Sequence, residues 1–192
     1  TSPWVAIKTQ QCQESALEGT VLTFSSNYFN CSDITPNGEN SQWKFNTTDQ
    51  WGFNKTTTVH NKTIIKDDVE VTPYSISKTL VNRSGNDEIL FRMLVKDTDR
   101  NVYVGENVST MFYITENSVW DDGHYNTTQP DSIASLTFNP NCSYNASWHW
   151  WRGGTHNDTC YKDYNFTATD YPLIARFEVR GQLINHIISP NP

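Results

Sequence analysis

Positive charge is scarce in this chain. Fourteen Lys and Arg stand against 21 Asp and Glu, giving a net charge of −7, and no basic cluster forms. The nearest approach, Lys96 to Arg100 (KDTDR), is interrupted by acids. Binding a phosphate backbone takes several Lys or Arg on one face. Nucleic acid is therefore set aside as a partner, and a polybasic membrane patch with it. Long apolar runs are also missing, and without about 18 consecutive apolar residues no transmembrane segment is expected. No charged, apolar and cleavage regions of a signal peptide open the chain. Thr1-Ser2-Pro3-Trp4 reads as a mature end left by signal removal or as a cut end, and both suit secretion.

The motifs of common chemistries are absent too. Without C-x-x-C, zinc knuckles and thioredoxin-like exchange drop out. Neither a G-x-S-x-G elbow nor a phosphate-cradling glycine loop occurs. The five histidines, His60, His124, His149, His156 and His186, show no H-x-x-x-H or H-E-x-x-H spacing, so they read as exposed loop residues rather than metal ligands. Asp97-x-Asp99-x-Asn101 opens like a calcium loop. Val102 stands where such a loop needs Gly, and Val108 where it needs Glu, so a hairpin corner is the better reading. No cofactor and no metal is expected.

What the chain has in plenty is Asn, Thr and aromatic residues. Eleven N-x-S/T acceptors occur, at Asn30, Asn46, Asn54, Asn61, Asn82, Asn107, Asn126, Asn141, Asn145, Asn157 and Asn165. One such match is weak, but eleven together point to a glycosylating compartment. Phe29, Phe45, Phe53, Tyr125, Tyr144 and Tyr164 directly precede six of them. Strand neighbours point to opposite faces, so each pair predicts an aromatic ring inward and a sugar outward. The dressing resembles that of viral envelope ectodomains and secreted surface glycoproteins as a class.

Cys12, Cys31, Cys142 and Cys160 lie in two pairs, 19 and 18 residues apart. Of the three connectivities four cysteines allow, Cys12–Cys31 with Cys142–Cys160 is preferred, because short loops close easily. Stapling of the two chain ends stays open. Between the second pair runs NPNCSYNASWHWWRGGTHNDTC, the densest aromatic stretch. If it is a strand, Trp148 and Trp150 share one face and Trp151 takes the other. The three are either core or a surface that stacks on a glycan or anchors a protein.

No segment holds a helical apolar period over twelve residues. Short β-branched and aromatic runs recur between turn signals instead, as in EILFRMLVK, VSTMFYIT and SIASLTF. The fold class expected is an all-β antiparallel sandwich, jelly-roll or lectin-like. A closed lipocalin-like barrel is the rival, although no G-x-W lies near the start. Cys12, Trp43 and Cys142 are badly spaced for an immunoglobulin domain. No linker divides the chain, so residues 1–192 read as one domain. Residues 121–132 read as a polar loop and Gly153-Gly154 as a turn.

The function expected is a non-enzymatic, secreted or surface-displayed N-glycoprotein domain for recognition or adhesion, with a protein or glycan partner. The alternatives are a structural subunit that polymerises by strand addition through an apolar terminal strand, Tyr171 to Ile188, and a secreted carbohydrate-active enzyme. For the enzyme the candidate acids are Glu116, Asp121, Asp122 and Glu178, whose separations sequence cannot supply.

Overall fold

The computed structural model describes residues 31, 34, 41–48 and 51–181. It divides into two compact units, Thr1–Lys66 and Asp67–Pro192, where the sequence offers no linker. Nearly all the regular structure is β, in antiparallel sheets, and no closed barrel forms among the described residues.

In the first unit β1 (Ser41–Trp43) pairs with β4 (His60–Lys62), and β2 (Asn46–Thr48) with β3 (Asn54–Thr56). The two ladders continue one hairpin, whose register slips by one residue between them. Trp43 stacks on His60 with ring centres 4.5 Å apart, and Phe45 meets Trp43 edge-on at 5.1 Å.

The second unit is a sandwich. One sheet holds β12 (Ile133–Phe138), β7 (Ile89–Asp97) and β5 (Val69–Ile76), with the short β8 (Val102–Tyr103) also on β7. The other runs β10 (Val119–Trp120), β9 (Ser109–Glu116), β13 (Trp148–Thr155), β15 (Arg176–Arg180) and β6 (Leu80–Asn82). To it β11 (His124–Thr127) adds on β9 and β14 (Tyr164–Asn165) on β13. The strand pairings named here are antiparallel except β15 with β6, and an isolated parallel bridge joins Asp67 to Tyr161.

Period-two alternation builds the core. On β7, Ile89, Phe91, Met93 and Val95 are buried, as are Phe112 and Ile114 on β9 and Phe177 and Val179 on β15. Phe91 bridges the sheets, its ring centre 5.0 Å from Trp151 and 5.1 Å from Phe177. Rings bury large areas each, which lets a chain of only 36% hydrophobic residues fill a core.

Three local expectations are corrected. Pro73 reads in the sequence as a break between two strands, but β5 runs through it, and the register shifts between Pro73 and Ser75. That is where proline is tolerated, since among the described residues β5 pairs on one side only, with β7, and a bulge needs no ladder bond there. The polar loop at 121–132 contains β11, whose Asn126 and Thr127 pair with Thr110 and Ser109. Gly153 and Gly154 lie inside β13 rather than at a turn. A Cβ on Gly154 would stand 1.6 Å from the Tyr164 carbonyl oxygen, so glycine is there to let β14 close on β13. Of the apolar terminal stretch, β15 lies inside the sheet, with 176–178 on β13 and 178–180 on β6. The remainder of the apolar terminal stretch, from 182 on, lies outside the described residues.

Cysteine pairing also changes. Cys142 is an exposed free thiol, whereas Cys31 and Cys160 are disulfide-bonded. The two members of the preferred Cys142–Cys160 pair sit beyond opposite ends of β13, eight extended residues long. The segment between them is thus an extended strand rather than the short loop the pairing assumed, and Cys142 and Cys160 are not paired. Cys12 lies outside the described residues.

Candidate functional site

β13 organises the site, because its alternate side chains meet two different environments. Its inner face carries His149 and Trp151, both buried. Trp151 packs against Phe91, Phe112 and Phe166, and its indole N–H donates to the Ile174 carbonyl at 2.8 Å. His149 was expected in an exposed loop but is 1% exposed. Its Nδ1 meets the Thr115 carbonyl and its Nε2 the Asn145 carbonyl at 2.8 Å, so the ring ties β13 to β9 and to the preceding loop.

The outer face carries Trp148, Trp150 and Arg152. Trp148 is 51% exposed and Trp150 half-buried. Trp150 lies opposite Arg176 on β15, and Arg152 opposite Tyr113 on β9. The Arg176 guanidinium carbon sits 4.2 Å from the Trp148 ring centre and 5.6 Å from that of Trp150. Arg152 does the same between Trp120, at 4.5 Å, and Tyr113, at 5.1 Å. Aromatic rings and guanidiniums thus interleave across four strands. Each contact of this kind is worth roughly 0.5–2 kcal/mol.

The charges of this ladder go unanswered. Arg100 and Arg180 make ion pairs, with Asp67 and Asp97 and with Glu178 respectively. Among the described residues Arg152 and Arg176 make none, and the Nε of each is buried without a hydrogen-bond partner. An unpaired buried donor costs about 1–3 kcal/mol, so two of them on one face are a notable expense.

At the Trp120 end, beyond β9, an open cleft of about 390 Å³ is lined by Glu116, Trp120, Asp121, Asp122, His124 and Tyr144 among others. Three of the four acids singled out from sequence meet here. Glu178 does not; it lies on β15, held by both nitrogens of a fork from Arg180 at 3.0 and 3.1 Å. Asp121 is heavily engaged. Its Oδ1 accepts from the Ile114 and Gly123 amides at 3.0 and 3.2 Å, its Oδ2 contacts His124 Nε2 at 3.0 Å and accepts from the Tyr144 hydroxyl at 3.3 Å. Burial pushes the Tyr144 hydroxyl well above its usual pKa of 10.0, and the Asp121 charge adds to it. Tyr144 therefore remains a proton donor to Asp121 across the ordinary pH range.

The acceptor asparagines divide. Asn46, Asn54, Asn61, Asn107, Asn141, Asn145, Asn157 and Asn165 are exposed, Asn82 and Asn126 are half-buried, and Asn30 lies outside the described residues. At Tyr144-Asn145 the ring is buried, at 7% exposure, and the asparagine exposed, although the pair lies in the loop before β13 and not on a strand. The aromatic-in, sugar-out expectation fails at Phe53, Tyr125 and Tyr164, whose rings are exposed. At Tyr125-Asn126 the two directions are reversed: Asn126 turns inward and its amide donates to the Ser135 carbonyl. The calcium-like segment is a corner between β7 and β8. Asp97 accepts there from the Arg100 amide and guanidinium, both at 2.9 Å.

Sequence reasoning found the tryptophans but missed the arginines. Arg152 was within reach, since W-x-W-x-R at strand period places 148, 150 and 152 on one face. Arg176 was not, because only the β13–β15 register sets it opposite Trp150.

No protein-family model and no curated protein sequence matches this chain. Among solved structures it is similar to the β-glucosidase of Listeria innocua. In complex with gluconolactone that enzyme gives a TM-score of 0.34 at 11% identity, over 64% of this chain. In complex with glucose it gives 0.32 at 13% identity, over 65%. In both cases the match spans 17% of the glucosidase chain, a likeness too slight to bear on function.

Proposed function

We propose that this chain is a non-enzymatic, extracellular or surface-displayed N-glycoprotein domain that recognises a partner through the outer face of β10, β9, β13 and β15. The observation that carries the reading is the ladder of Trp148, Arg176, Trp150, Arg152, Tyr113 and Trp120, which leaves two guanidiniums unpaired on a solvent-facing sheet. Aromatic and Arg side chains in this arrangement are the residues most enriched where binding energy concentrates. Disulfide-bonded Cys31 and Cys160 support an oxidising compartment. Eight exposed acceptor asparagines support a glycan coat.

A sugar placed on the face tests this directly. Glu178→Asn with Arg180→Thr creates an acceptor on β15 beside Trp148. In a glycosylating host the modified protein should fold, carry one more glycan and lose binding to cells that the wild type labels in flow cytometry. Undiminished labelling by the fully modified protein would remove this face from consideration.

A second reading, a carbohydrate-active enzyme, has one observation in its favour: Glu116, Asp121 and Asp122 share a cleft. Asp121 is the poorest candidate of the three, because its oxygens already serve four partners. Turnover of a glycan by the wild type, abolished in Glu116→Gln or Asp122→Asn, would establish the enzyme reading. Unchanged turnover in both would discard these acids.

A further inference from the structure

We propose that the ligand of this outer face is an acidic saccharide, a sugar ring carrying one carboxylate or sulfate group, held by Arg176 with Trp148 stacked on the ring. The inference rests on the recognition reading above and names the chemistry of its partner.

Three features select this ligand class. First, the face offers charge without counter-charge. Arg176 makes no ion pair among the described residues and its Nε is buried and unpartnered, on a chain of net charge −7. A guanidinium presents a rigid fork that matches an oxyanion with two hydrogen bonds. Its nearest carboxylate on the strand, Glu178, is already taken by Arg180.

Second, the cations are too few for a polyanion. Among the described residues the ladder holds two unpaired cations, Arg176 and Arg152. Beyond Arg152 the Trp120 ring borders the cleft of Glu116, Asp121 and Asp122, which repels a continuing line of negative charge. A single anionic group at the Arg176 end fits, whereas a long sulfated chain or polyphosphate does not.

Third, β13 is hydrogen-bonded on both sides, to β9 and to β15. A peptide that binds by adding a strand needs a free backbone edge, and β13, which carries Trp148 and Trp150, is an interior strand of its sheet. It presents flat rings, with Trp148 half-exposed. Such a ring suits the C–H face of a pyranose, while the guanidinium stacked on it reaches the acid group.

The test uses the intact glycosylated protein and a panel of immobilised probes. The probes are a terminally sialylated glycan, a glucuronate-ended glycan, a singly sulfated glycan, the neutral parent of each, and a polyglutamate peptide. The account predicts binding to at least one acidic glycan, loss on its neutral parent, and weakening as salt rises. Which of the carboxylate and sulfate probes binds tells the two anions apart. Arg176→Gln and Trp148→Ala should each weaken binding about tenfold or more, the worth of one charge-assisted or stacking contact. Arg152→Gln, nearer the acidic cleft, should weaken it less than about threefold. Arg176→Lys keeps the charge but not the fork and should not restore full affinity. Thermal midpoints measured alongside confirm that each variant is folded.

Binding to polyglutamate alone, equal binding to acidic and neutral glycans, or binding indifferent to Arg176→Gln would each overturn the saccharide. If no glycan binds but wild type still labels cells and the added β15 glycan abolishes labelling, this inference falls and the recognition reading stands. If labelling survives that added glycan, both fall.

Discussion

Trp151 and Trp148 stand three residues apart on one strand and spend their rings in opposite ways. Trp151 is wholly enclosed, its ring among Phe91, Phe112 and Phe166 and its N–H on a carbonyl. Trp148 is half-exposed and its ring meets the cation of Arg176. The inner face satisfies every ring from within the sandwich. The outer face has rings filled only by guanidiniums, whose remaining donors look to solvent. The contrast separates two jobs that composition alone cannot tell apart, since indole serves packing and binding equally well.

Removing the inner ring should have the largest effect. Trp151→Ala leaves a cavity at the meeting point of both sheets and should cost about 3–5 kcal/mol, read as a lowered denaturation midpoint in urea. Next comes Gly154→Ala. Its methyl would collide with the Tyr164 carbonyl, so β14 must pull away from β13. A loss of about 1–3 kcal/mol is expected, with faster amide exchange at Phe166, whose N–H donates to Gly153.

On the outer face Trp148→Ala should cost less than about 1 kcal/mol, since only a partly solvated cation–π contact is lost. A cost like that of Trp151→Ala would erase the distinction between the faces.

The smallest effect concerns acid. Asp87 accepts from Lys78 and from the Asn82 amide at 2.7 Å, and these bonds hold its carboxyl below the ordinary value of 3.8. A depressed folded pKa gives stability that is present above 3.8 and lost as pH falls through the lower folded value. Asp67 works the other way: burial, and a hydrogen bond with Asp99, raise its carboxyl above 3.8. Its contribution is favourable below 3.8 and is lost as pH rises through the folded value. Asp87→Asn should therefore flatten the acid limb of a stability–pH curve, whereas Asp67→Asn should steepen it.

Much of this was legible in the sequence. EILFRMLVK reads as a strand and is β7, and period two split Trp148 and Trp150 from Trp151. What failed depended on partners far along the chain. Pro73 looked like a break because its tolerance comes from an edge position that only the sheet order defines. Gly153-Gly154 looked like a turn because the reason for Gly154 is the approach of Tyr164, ten residues on. The Cys142–Cys160 pairing assumed a loop between the cysteines, where the chain runs as an extended strand and Cys142 stays free. The ladder itself was half visible: 148, 150 and 152 follow from period two, but Arg176 enters only by cross-strand register.

The most direct test of the account is Trp148→Ala, assayed in parallel for thermal midpoint and for labelling of cells that bind the wild type. The account predicts a midpoint within about 3 °C of wild type, as expected for a change below 1 kcal/mol in a chain of this size, together with loss of labelling. Full labelling at an unchanged midpoint would contradict it, and so would a collapse of the fold, which would place Trp148 in the core with Trp151.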